Sequence, residues 1–105
     1  MMEIMQGDAY NVAISLKDKD GNLIQPDVVS EVIASLGNII KSYSDGDVQY
    51  DSESGVYYFP VTQIETLTLS GIVPFDVRVK FTTGDVKGKN LGVVCVTPTG
   101  AREVL

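Results

Sequence analysis

Residues 10–17 alternate in phase: Tyr10, Val12, Ile14 and Leu16 fall on one side, and Asn11, Ala13, Ser15 and Lys17 on the other. A period of two belongs to a strand with one face buried. The clearest repeat of the pattern is "PFDVRVKFTTGD", where Phe75, Val77, Val79 and Phe81 point inward and Asp76, Arg78 and Lys80 outward, ended by Thr83-Gly84-Asp85. Between these two, "VVSEVIASLGNIIKSY" has helix-forming Ala, Glu and Leu. Its β-branched residues are dense, however, and Gly37-Asn38 interrupts it, so it reads as strands joined by a turn or bulge.

Asp45-Gly46 and Ser54-Gly55 punctuate two further short segments, Val48 to Tyr50 and Val56 to Val61. In the second, Tyr57 and Phe59 share a face, which leaves Tyr58 outward as a candidate contact residue. Thr62 and Glu65 have the spacing of a capping box, so one short helical or 3₁₀ turn is expected before a strand from Thr66 to Leu69. Leu91 to Val96 is almost continuously apolar, as in a strand covered on both faces, and Pro98 stops it.

About seven short strands with turn signals between them, and no long helix or repeat, predict one all-β domain over residues 1–105. The expected form is an antiparallel, immunoglobulin-like β-sandwich, with a small β-barrel as the alternative.

Composition narrows the chemistry. Eight Lys plus Arg against fourteen Asp plus Glu give a net charge of −6, which repels nucleic-acid phosphates and anionic membranes. There is no histidine, so a Ser-His-Asp triad, a Cys-His pair and a His-based metal site are excluded. The single cysteine, Cys95 in "LGVVCVT", reads as a buried small apolar residue in a reducing compartment. The first ten residues are acidic where a secretory signal carries basic residues, and no apolar run reaches the ~20 residues that cross a bilayer.

Three stretches invite a ligand reading. "KDKDGNLIQP" places Asp18 and Asp20 ahead of Gly21. Aligned as a calcium loop, it has Leu16 at the first position and Asp27 instead of Glu at the twelfth, so the hairpin turn fits better. Asp45, Asp47, Asp51 and Glu53 offer oxygen ligands for a loose surface Ca²⁺ site, although solvated turns account for them more simply. "GDVKGK" has three residues between its glycines where a phosphate loop has four, and Asn90 follows Lys89, so it reads as a hairpin with a basic tip. No cofactor is expected. Arg78, Lys80, Lys87 and Lys89 hold half of the positive charge within twelve residues, an asymmetry that could steer one copy of the domain onto another.

The order of these motifs resembles small tail- and baseplate-associated proteins of phages and prophages of Gram-positive bacteria. The resemblance rests on "MQGDAYNVAISLKDKDGNLI", with Gly7-Asp8, Asp18-Lys19-Asp20-Gly21 and Leu23-Ile24, and on "YYFPVTQIET", "VRVKFTTGDVKG" and the terminal "EVL". Baseplate upper proteins carry a comparable N-terminal β-sandwich module. The resemblance implies a non-enzymatic virion protein, in the particle or in the host cytoplasm during assembly, whose partners are tail or baseplate proteins, itself included. The expected contacts are Tyr58, Arg78, Lys80 and the tail residues Arg102, Glu103, Val104 and Leu105. A carbohydrate-binding or adhesion module is the rival reading.

Overall fold

In the computed structural model, which describes residues 2–100, 102, 104 and 105, eight strands divide between two sheets. In chain order they are β1 (Met2–Met5), β2 (Tyr10–Ile14), β3 (Val29–Leu36), β4 (Ile39–Ser42), β5 (Gln49–Asp51), β6 (Val56–Val61), β7 (Gly71–Phe81) and β8 (Val86–Thr97). A 3₁₀ turn, Pro26–Val28, leads into β3, and a single short helix, α1 (Gln63–Leu67), follows β6. The larger sheet has the order β1-β8-β7-β3-β4 and the smaller β2-β6-β5. The all-β expectation therefore holds.

Alternation sets what each strand buries. Val12 and Ile14 of β2, Tyr57, Phe59 and Val61 of β6, and Phe75, Val77 and Val79 of β7 all join one apolar cluster between the sheets. The Phe59 and Phe75 rings meet at 5.6 Å across it, and Tyr57 stacks at a tilt on Tyr50 at 4.9 Å. Aromatic pairs at such separations add to the area they bury. Gly37 makes the β3–β4 turn with φ of 59°, and a Cβ there would stand 3.0 Å from Leu69 Cδ2, so the residue has both a conformational and a steric reason to be glycine.

Several expectations need correction. The fold is not purely antiparallel, because β1 pairs with β8 in parallel, Met2 opposite Val94 and Met5 opposite Thr97. The strand expected from Thr66 to Leu69 does not form. The Thr62–Glu65 capping box starts α1 instead, with both reciprocal bonds present, and β7 begins at Gly71. β8 starts five residues before Leu91 and is one-sided: Val94 and Val96 are 2 % exposed, whereas Val93 is 37 % exposed and Cys95 half-buried. The turn after β7 is closed by the Phe81 N–H to Asp85 O (2.8 Å) and the Gly84 N–H to Phe81 O (2.9 Å), so Lys87 and Lys89 lie on the strand and not at a tip. Tyr10, in phase with Val12, sits beyond the core and is exposed.

Candidate contact surfaces

Strand register decides which of the expected contact residues can act together. On β7, Arg78 lies between Ile33 and Gly88, and Lys80 between Glu31 and Val86. Both point away from the core on the outer face of the larger sheet. That face also exposes Ile33, Ile40, Ile72, Val86 and Val93. Tyr58 lies between Ala13 and Gln49 on the outer face of the smaller sheet, half-buried beside Asn11 and Pro60. Tyr58 and Arg78 therefore belong to different sheets.

The basic cluster is divided as well. Lys87 pairs with Val79 and Lys89 with Val77, which places both lysines in the inward phase, opposite to Arg78 and Lys80. Lys17 and Lys19 face them across a cavity of about 440 Å³ floored by Leu16, Ile24 and Phe81. Neither of the last two lysines was singled out by spacing, because their proximity to β8 depends on how the sheets meet.

The C-terminal segment folds back onto its own chain. The Arg102 guanidinium donates to Gln6 Oε1 (3.1 Å) and Leu67 O (3.0 Å), and the Leu105 N–H donates to Gln63 Oε1 (3.0 Å). Val104 and Leu105 keep exposed side chains near Pro60 and Ile64, and Glu103 lies outside the described residues. Gln6 and its neighbours form the anchor. Gln6 Nε2 donates to Leu69 O (2.8 Å), and the Gly7 N–H donates to the hydroxyl of Thr66, whose single proton is shared between Asp8 O (2.8 Å) and Gln63 O (3.0 Å). Gly7-Asp8 thus has a structural task, holding α1 against the start of β2.

The acidic stretches are mostly turn chemistry. Asp18 Oδ1 accepts from the Asp20 and Asn22 N–H groups at 2.9 and 3.0 Å, and Gly21 takes φ of 84°, which settles that segment as a hairpin turn. Asp51 accepts from the Glu53 N–H (3.1 Å) and the Ser54 hydroxyl (2.7 Å). Asp45 and Asp47 are exposed. Among the described residues no three acidic, His or Cys side chains gather closely enough to hold a metal ion.

Among the described residues three groups titrate away from their ordinary values. Burial pushes the Tyr57 hydroxyl up to about 12, aided by the nearby Tyr50 and Tyr43, and its proton is given to Ile24 O at 2.9 Å. At Glu65 burial opposes ionisation but is outweighed by Lys41 and by the Thr62 N–H, so the carboxyl is held below its ordinary value. Lys41 Nζ also donates to Pro60 O (2.6 Å) and lies 5.9 Å above the Phe59 ring, linking the larger sheet to the smaller. Glu31 is held low in the same way: burial is outweighed by the Ser44 hydroxyl and N–H and the Val32 N–H.

Against known proteins, the chain matches no family model, no curated protein and no solved structure to a significant degree.

Proposed function

We propose that the chain is a non-enzymatic structural protein of a phage or prophage tail or baseplate, an immunoglobulin-like sandwich that works by protein–protein contact. The observation that carries this reading is the outer face of the larger sheet. There, the exposed Ile33 lies beside Arg78 and the exposed Val86 beside Lys80, and Ile40, Ile72 and Val93 are exposed further along the same face. Apolar area interrupted by an arginine is the composition of a contact surface, and a sheet face left in water does not need it. Tyr58 on the opposite face, and Val104 and Leu105 at the tail, are the secondary contacts in this reading. The arrangement along the chain of turn and strand motifs supplies the assembly in which those contacts are made.

The test is quantitative mass spectrometry of phage particles induced from the strain that encodes the chain, with its peptides compared to those of the major tail protein. Presence in fixed ratio supports the reading. Absence from particles while the protein is abundant in the lysate overturns it.

A further inference from the structure

Two cavities lie end to end on the side where β2 and β8 face each other. One, of about 500 Å³, lies between residues 12–15 and 91–94, with Met2 and Phe75 in its walls. The other is the lysine-lined cavity of about 440 Å³ between residues 16–19 and 87–89. The seam exists because both flanking strands are short of a neighbour. β2 pairs only with β6, and β8 meets β1 only through Val94–Thr97, so from Val86 to Val93 its second edge has no strand partner among the described residues. Such an edge is a template for another chain. Further along, β8 already accepts a strand on that side, namely β1.

The charges identify the occupant. Lys17, Lys19, Lys87 and Lys89 are four of the eight cations of a chain whose net charge is −6, and none forms an ion pair among the described residues. Asp18, the one acid in the lining, is already held in its turn. On the opposite side, β4 and β5 are edge strands of the two sheets, and the exposed Asp45 and Asp47 lie in the turn that joins them. Both patches sit at the same end of a body measuring 47 × 22 × 22 Å. Ser44 is bonded to Glu31 near the start of β3, where Val29 pairs with Phe81, and the lysine cavity reaches Phe81 from the other side. Copies repeated side by side with their long axes aligned therefore bring acid against lysine, and the β4 and β5 edges of one against the β8 and β2 edges of the next. The contact uses different patches on the two copies, so it generates a ring or a row.

We propose that the β2–β8 seam is the docking site for a second copy of this chain, engaged through its acidic β4–β5 side at Asp45 and Asp47. The proposal rests on the reading of the chain as a contact protein. Inward-pointing lysines on an edge strand can also serve only to keep neighbours away, and in that role their reversal to Glu would leave association no weaker than the parent's.

The experiment is sedimentation velocity on the full chain over a concentration series at low and raised salt. The expected result is a mass that grows with concentration and shrinks with salt. The Lys87→Glu/Lys89→Glu and Asp45→Lys/Asp47→Lys variants, each with an unchanged circular dichroism spectrum, should associate at least about tenfold more weakly. An equimolar mixture of the two should associate again. A monomer at every concentration and salt, or variants that associate as the parent does, overturns the proposal. Presence in phage particles together with a monomer in solution removes this inference and leaves the proposed function standing; self-association with absence from particles does the reverse.

Discussion

The two ends of the molecule treat their polar side chains differently. Around α1, Gln6, Thr66, Lys41, Glu65 and Arg102 are each bonded within the chain, several of them to groups more than fifty residues away. Around the β7–β8 turn, Lys17, Lys19, Lys87 and Lys89 line a cavity without an ion-pair partner among the described residues. The first end joins the sheets and orders the termini, whereas the second leaves charge and strand edges available. Polar groups withdrawn from water and satisfied internally are costly to disturb, and exposed lysines are not. Substitutions should therefore hurt folding at one end and association at the other.

The largest effect is expected from Lys41→Ala. It removes the bonds to Pro60 O and Glu65 and leaves a partly buried carboxylate without its cation, which should cost about 2–3 kcal/mol in urea unfolding. Acid dependence sharpens this. Because the folded state holds Glu65 below its ordinary value, its contribution is present above about pH 4.3 and lost as pH falls through the folded value. Loss of Lys41 should make that acid limb shallower.

Thr66→Val comes next. It keeps the shape but strands the Gly7 N–H and the Asp8 carbonyl, for about 2 kcal/mol, and it should loosen residues 6–9 in hydrogen exchange. Tyr57→Phe removes one buried bond to Ile24 O and should cost about 1 kcal/mol at neutral pH. The native hydroxyl is raised to about 12, so its contribution is complete below about pH 10 and lost as pH climbs towards 12. The Phe variant should lack that alkaline loss. The smallest effect on stability is expected from Lys87→Ala/Lys89→Ala, within about 0.5 kcal/mol. A large loss there would erase the distinction between the two ends.

Much of this fold was legible because side-chain phase is a local property. Val56–Val61 has the bounds its turn signals imply, "VVSEVIASLGNIIKSY" is two strands about Gly37-Asn38, and the Thr62–Glu65 pair caps a helix. The failures are non-local. β1 escapes notice because "MEIM" buries only Ile4 and owes its strand state to a partner ninety residues away. Thr66 to Leu69 has strand-like composition, but the capping box and the buried Thr66 hydroxyl put Thr66 and Leu67 in the helix, which ends there. The basic cluster was visible as a count of charges. Its division between faces depends on the β7–β8 register, in which Lys87 opposes Val79, and the approach of Lys17 and Lys19 depends on how two sheets meet. Arg102 looked available for a neighbour until its partners, Gln6 and Leu67, were in place.

The most direct test of the division between a fold-holding end and a contact-making end is amide hydrogen exchange of the wild-type chain at low and high protein concentration, read segment by segment. The account predicts added protection at high concentration along residues 10–19 and 86–93, and along 42–51 on the opposite side, with no change around α1. Protection gained around α1 and the tail, or gained nowhere, would contradict it.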